Sequence, residues 1–177
     1  MNTRPLLLPL CLLLLPIASI PLRSAAMPQD RLPAAIRSQL DEAYPGWHPA
    51  AVSDEVRAFF KDVRPDAEPW WIAGDFTGSG REDFAVQILA PLAGHERRIV
   101  AAFLADGREG YRRVELENGQ PDPRVYLWLL KRGHEDVASQ TGKTITFPRD
   151  SVGVESSGPS VAYLFEHGSF KRIWLGI

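Results

Sequence analysis

The chain has 177 residues, of which 45% are hydrophobic and 24% are charged, with a formal net charge of −2. A chain of this length is long enough to form one domain with a substantial core. The 20 basic and 22 acidic residues leave no basic surplus to hold a phosphate backbone. The composition therefore argues against nucleic-acid binding.

The first 26 residues have the three-part layout of a secretory signal peptide. Arg4 supplies a positive charge, residues 6–22 are almost wholly apolar, and small residues precede Met27. We predict cleavage after Ala26, with an uncleaved N-terminal anchor as the alternative. The single cysteine, Cys11, lies in this segment, so we expect an exported protein without disulfide bonds. The expected location is periplasmic or secreted, with no membrane span after cleavage.

Two short helices are predicted before residue 70. Proline suits the first helical turn, so Pro33 is predicted to open the first helix. Ser53 is predicted to cap the second helix, because its side-chain oxygen can accept a free helix amide. The predicted buried faces are Ala35, Ile36, Leu40 and Ala43 in the first helix, and Val56, Phe59, Phe60 and Val63 in the second.

From Trp70 onward, alternating apolar and polar residues replace the helical pattern. Short strands joined by tight turns favour an antiparallel sheet. The sequence therefore predicts one α+β domain over residues 27–177, with two short N-terminal helices packed on a mostly antiparallel β-meander of eight or nine strands. The strands are predicted near residues 70–75, 83–90, 97–106, 110–116, 124–131, 143–147, 151–155, 160–166 and 169–175.

The segment GDFTGSGRED places oxygen-bearing side chains on a glycine-containing turn. Asp75, Thr77, Ser79 and Asp83 take the first, third, fifth and ninth positions, and a backbone carbonyl near Arg81 can contribute a further oxygen. Calcium takes six to eight oxygen ligands in flexible geometry, so this spacing predicts a calcium site. The same pattern fits a metal-free hairpin in which Asp75 accepts hydrogen bonds from loop amides. In either case, if Asp83 points into the loop, the adjacent Glu82 should point away from it.

Residues 70–90 resemble an FG-GAP or VCBS-type repeat, in which a strand leads through glycine and aspartate into a calcium loop, a second aspartate and an apolar strand. The resemblance implies a calcium-binding hairpin; in integrin alpha chains and many secreted bacterial proteins such units are propeller blades. The family usually has Asp or Asn where this chain has Thr77 and Ser79, and Arg81 adds a positive charge. We therefore expect a weak calcium affinity, about 0.1–1 mM at best.

One such repeat cannot build a propeller, because a blade buries its faces only against neighbouring blades. We therefore expect a lone hairpin within another sheet. Residues 150–174 are similar to the tail of small secreted bacterial proteins of unassigned function that carry one such loop.

The remaining chemistry is sparse. The sequence lacks the glycine-x-serine-x-glycine motif of many serine hydrolases, and its four histidines are scattered. The densest acid–base cluster is His134-Glu135-Asp136, in the polar stretch 133–143. It could serve proton transfer, but the sequence favours an exposed polar loop. No catalytic residue is assigned.

These observations favour a non-catalytic, monomeric protein that binds a protein or glycan of the cell envelope. The loop from Asp75 to Asp83 would serve as a structural clip, with weak calcium as its only cofactor. One alternative is a small envelope hydrolase of glycan or peptide, with its site in residues 133–143. Another is a secreted inhibitor of a wall-degrading enzyme.

Overall fold

The computed structural model describes residues 31–107, 110–156 and 158–176. The expected signal peptide, residues 1–26, lies outside the described residues. The described chain forms two α-helices and eleven β-strands. In order, these are α1 (Ala34–Ala43), β1 (His48–Pro49), α2 (Asp54–Val63), β2 (Trp71–Gly74), β3 (Asp83–Leu92), β4 (His95–Asp106), β5 (Gly110–Gly119), β6 (Tyr126–Leu130), β7 (Glu135–Ala138), β8 (Lys143–Thr146), β9 (Ser151–Glu155), β10 (Val161–Glu166) and β11 (Ser169–Trp174).

The structure confirms a β-rich fold with antiparallel sheets and two helices. The predicted count of eight or nine strands is wrong, because β1 and β7 were not expected. Both are short, with two and four residues, and β1 lies between the two helices. So short a strand shows too little side-chain alternation to be recognised, and it is defined by its backbone pairing instead.

The local helix signals are confirmed. Helix α1 begins directly after Pro33, and Ile36 and Leu40 are buried. The Ser53 hydroxyl accepts a hydrogen bond from the Val56 amide at 3.3 Å, which caps α2. Among the described residues, no helix is long and apolar enough to cross a membrane.

The strands form two main sheets instead of one continuous meander. The first sheet has the order β1-β3-β4-β5, with β2 also paired to β3. The second sheet has the order β11-β10-β9-β6, and β7 and β8 form a separate two-stranded sheet. All these pairs are antiparallel.

The central core contains side chains from both main sheets, and β4 contributes to two cores at once. On one face of β4, Val100, Ala102 and Leu104 join Leu127 and Val152 of the second sheet. The opposite face of β4 packs in a cluster with the buried residues of α1. A strand covered on both faces is expected to be apolar at nearly every position, and this explains the run of residues 99–104.

Outer elements cover the remaining faces. Phe147, beside β8, and Leu175, after β11, are buried with Leu164 of the second sheet. Helix α2 has a smaller cluster in which Val56 and Phe60 pack near strand β6. The loop between β2 and β3 starts and ends on strands of the first sheet, and it contacts the segment just before β9.

Candidate functional site

The loop between β2 and β3 turns with the help of two glycines. Gly78 has φ +74° and Gly80 has φ +77°, in the left-handed region that side chains disfavour. These kinks allow the chain to fold back within nine residues. The predicted hairpin is present, since Gly74 at the end of β2 pairs with Asp83 at the start of β3.

Asp75 is bonded to the amides of its own loop. One carboxylate oxygen accepts the Ser79 amide at 2.9 Å, and the other accepts the Gly80 amide at 2.8 Å. A carboxylate that accepts amides a few residues further on holds a turn closed without a ligand.

Asp83 is fully buried and connects the loop to the first sheet. Its Oδ2 accepts the Thr77 amide at 2.9 Å and lies 3.1 Å from the Thr77 hydroxyl. Its Oδ1 accepts the Ala105 amide at 2.7 Å, near the end of β4. The adjacent Glu82 is exposed, which confirms the predicted outward direction. Asp83 is therefore an anchor with both oxygens in use.

The two hydroxyls bond to each other, and the arginine points elsewhere. Thr77 Oγ1 lies 2.9 Å from Ser79 Oγ. The Arg81 guanidinium donates to the Ala105 carbonyl at 3.4 Å, and its side chain is exposed. The structure thus gathers Asp75, Thr77, Ser79 and Asp83 in one hydrogen-bond network.

Sequence reasoning missed two residues that complete this loop. Arg149 Nη1 donates to the Thr77 carbonyl at 2.7 Å. Asp150 Oδ2 accepts the Asp75 amide at 3.3 Å, and its Oδ1 accepts the Arg132 amide at 2.9 Å. Each residue lies more than 70 positions from the loop residue that it contacts, so no local pattern reveals the contact.

The carboxylate oxygens and one carbonyl of this loop take part in hydrogen bonds within the protein. Both oxygens of Asp75 and both oxygens of Asp83 accept backbone amides. A guanidinium is bound to the carbonyl of Thr77. In the part of the chain that the structure describes, no group of three or more His, Cys, Asp and Glu residues could hold a metal ion.

The acid–base cluster lies on the β7–β8 hairpin. His134 Nε2 is 3.7 Å from Asp136 Oδ2, and its ring lies against Phe147 with centroids 6.0 Å apart. Glu135 accepts a hydrogen bond from the Thr146 hydroxyl at 3.2 Å, across the hairpin. Each of these groups has a partner that stabilises the hairpin itself.

An ion pair within the first sheet is hydrogen-bonded to a residue of the second sheet. Arg98 and Glu117 are 2.9 Å apart, and each side chain is only 12% exposed. The Tyr163 hydroxyl donates to Glu117 at 2.9 Å. Burial, followed by the Glu117 charge and hydrogen bond, raises the pKa of Tyr163 well above its usual range. These contacts link β4 and β5 to β10.

Apolar, aromatic and basic side chains that are exposed or partly exposed lie on helix α2, on the residue that follows it and on strand β6. We call this group the α2–β6 surface: Phe59, Val63, Arg64, Tyr126 and Trp128. The Phe59 ring lies 6.0 Å from Tyr126 and 5.8 Å from Trp128, between centroids. The Arg64 guanidinium lies 4.6 Å above the Trp128 ring. The predicted burial of Phe59 and Val63 is wrong, since they are 40% and 53% exposed.

Two shallow pockets flank the α2–β6 surface. One, of about 230 Å³, is lined by Phe59 and Tyr126 together with Glu55, Arg124 and Ser156. The other, of about 420 Å³, is lined in part by Arg64, Asp66, Glu68 and Trp71. Burial raises the pKa of Tyr126, and the Glu155 charge adds to this effect, so the phenol stays neutral at physiological pH.

Comparisons with known proteins do not assign this chain to a family. No protein-family model matches it, and neither a curated protein nor a solved structure matches it.

Proposed function

We propose that the protein is a non-catalytic, exported binding module of the cell envelope, which engages a protein partner through the α2–β6 surface. The observation that carries this proposal is Phe59. This large apolar side chain lies on the apolar face of α2, yet it is 40% exposed. The loop from Asp75 to Asp83 serves as a structural clip and takes no part in the contact.

The composition of the α2–β6 surface supports a binding role. Single exposed apolar residues are normal, but here exposed Phe59 and Val63 lie one turn apart on α2, and Phe59 packs on partly exposed Tyr126 and Trp128. Tyrosine, tryptophan and arginine are the residues that most often dominate binding energy at interfaces. The rings already pack on one another, so they would lose little conformational freedom on binding.

The surroundings of the surface favour a protein partner. Charged residues of both signs border the apolar centre, with Glu55 and Arg124 on one side and Asp66 and Glu68 on the other. An apolar centre with a polar rim is the usual anatomy of a protein–protein interface. The mixed signs would fix the orientation of the partner instead of attracting a uniformly charged polymer.

Site-specific photo-cross-linking tests the proposal. A photoreactive phenylalanine analogue would replace Phe59 in cells of the source organism, and Val137 would be the control position. Val137 is similarly exposed, at 42%, but lies on β7. We expect a discrete cross-linked protein from position 59 and none from position 137.

Binding of the purified partner completes the test. We expect Phe59→Ser to weaken the affinity at least about tenfold, the loss of a typical interface anchor, and Val137→Ser to leave it unchanged. If the partner degrades the cell wall and loses activity when bound, the module is an inhibitor. Equal cross-linking at both positions would refute the assignment of the α2–β6 surface as the binding site. If the protein sediments with protein-free wall glycan, and this depends on Phe59, the partner is a glycan and not a protein.

A further inference from the structure

We propose that the pocket lined by Phe59 and Tyr126 receives a basic side chain, a lysine or an arginine, of the protein partner. This pocket has a volume of about 230 Å³ and is one of the two that flank the α2–β6 surface. The inference rests on the proposed function, because it names the chemistry of the partner that the α2–β6 surface would bind. It assigns a role in that contact to two carboxylates, Glu55 and Glu155.

The aromatic walls of the pocket suit a basic side chain. Phe59 from α2 and Tyr126 from β6 line it together, with their ring centroids 6.0 Å apart. The aliphatic stems of lysine and arginine pack on apolar surface, and the faces of aromatic rings attract cations. The same aromatic group already binds one guanidinium of the chain, since that of Arg64 lies 4.6 Å from the centroid of the Trp128 ring.

The one basic residue that lines the pocket is already paired with an acid. Arg124 donates to Asp122 through Nε at 3.0 Å and through Nη2 at 2.9 Å, one bond to each carboxylate oxygen. Glu55 also lines the pocket and is exposed, and it forms no ion pair with any described residue. The charge that remains unpaired at the pocket is therefore negative, which favours a cationic group from the partner.

A second carboxylate lies beside the aromatic wall. Glu155 is the cross-strand partner of Tyr126, so the two side chains leave the same face of the second sheet as close neighbours. A Cβ built on Gly153 would lie 3.4 Å from Glu155 Oε1, so this carboxylate extends along the strand over a position without a side chain. The Ser160 hydroxyl donates to the other oxygen. Ser156, the next residue of the chain, lines the pocket itself.

The charge of Glu155 is not compensated within the described part of the chain. The residue is partly buried and forms no ion pair with any described residue. Burial raises the pKa of Glu155 despite the hydrogen bond from Ser160. A carboxylate withdrawn from water is costly unless an opposite charge compensates it. An ammonium or guanidinium group of the partner would supply that charge, and the contact would strengthen as the interface excludes water.

An NMR titration of the full chain tests the pocket without the natural partner. The probes are the N-acetyl amides of arginine and lysine, with the N-acetyl amide of norleucine as the uncharged probe of similar length, all at matched ionic strength. We expect the arginine and lysine probes to shift the backbone amide signals of Glu55, Tyr126 and Ser156 in a saturable manner. The norleucine probe should bind at least about fivefold more weakly, because it lacks the charge that the rings and carboxylates attract.

Three variants complete the design. Glu55→Gln and Glu155→Gln should each weaken binding of the arginine probe about two- to fivefold, the loss of a partly exposed ion pair. Glu82→Gln removes the same charge from an exposed position on the β2–β3 loop and should leave the affinity unchanged. Equal binding of the charged and uncharged probes by the wild type overturns the inference, even if the variants do not fold. Equal affinities of the wild type and both pocket variants also overturn it. Neither result affects the cross-link at position 59, so this inference and the proposed function fail separately.

Discussion

Replacing Asp83 by Asn should destabilise the fold strongly, although the change in size is minimal. The carboxylate is fully buried and accepts the Thr77 amide at 2.9 Å and the Ala105 amide at 2.7 Å, one on each oxygen. Asparagine has one acceptor oxygen and one NH₂ group, so its NH₂ must face one of these two N–H donors.

The expected cost follows from that mismatch. One buried N–H loses its acceptor, and the other bonds to a neutral oxygen instead of a charged one. Together these changes should lower the free energy of unfolding by about 2–4 kcal/mol. For a chain of this size, such a loss lowers the thermal midpoint by roughly 6–12 °C. The loss should appear in chelator as well as in calcium, because it comes from amide bonds within the protein.

Urea unfolding followed by tryptophan fluorescence is a suitable assay. Glu82→Gln is the matched control, because Glu82 is the adjacent acid and is exposed. It should change the free energy of unfolding by less than about 0.5 kcal/mol. A cost below about 1 kcal/mol for Asp83→Asn, or equal costs for the two variants, would refute the reasoning from buried amides.

Two other predictions concern α2 and the pH dependence of stability. Phe60→Ala should cost about 3–5 kcal/mol in urea unfolding, since Phe60 is 5% exposed, whereas Phe59→Ala should cost less than half as much; equal costs would contradict the exposed position of Phe59. Burial, followed by the hydrogen bond to Glu115, raises the pKa of Tyr44 to about 12. Because the folded protein then holds the phenol proton more tightly than the unfolded chain does, this contribution is complete below pH 10 and is lost as pH rises from 10 to 12. Urea midpoints measured across pH 8 to 11.5 should fall less steeply in Tyr44→Phe, and an unchanged slope would contradict the assignment.

Local sequence signals were sufficient to predict the structure wherever a few neighbouring residues determine it. Pro33 and Ser53 mark the helix starts because they act on amides within the first turn. Glycines at 78 and 80 mark the turn because only they adopt its backbone angles without strain. Alternation also sets the opposite directions of Glu82 and Asp83.

The same local signals failed to predict side-chain burial where that burial depends on elements distant in the sequence. Helical spacing places Phe59 and Phe60 on one apolar face. Both rings pack on strand β6, yet Phe60 is buried and Phe59 remains 40% exposed. The periodicity of a helix shows which of its faces is apolar. It does not show how much of that face a neighbouring element will bury.

The sequence by itself determined the hairpin, its glycine kinks and the inward direction of Asp83. Only the tertiary structure decided which distant residue bonds to the loop, because Arg149 lies 72 residues from its acceptor Thr77. That contact requires the chain to divide into two sheets and bring the start of β9 beside the loop. Adjacent residues determine short-range backbone geometry. A contact between distant segments depends instead on which strands pair and how the two sheets pack.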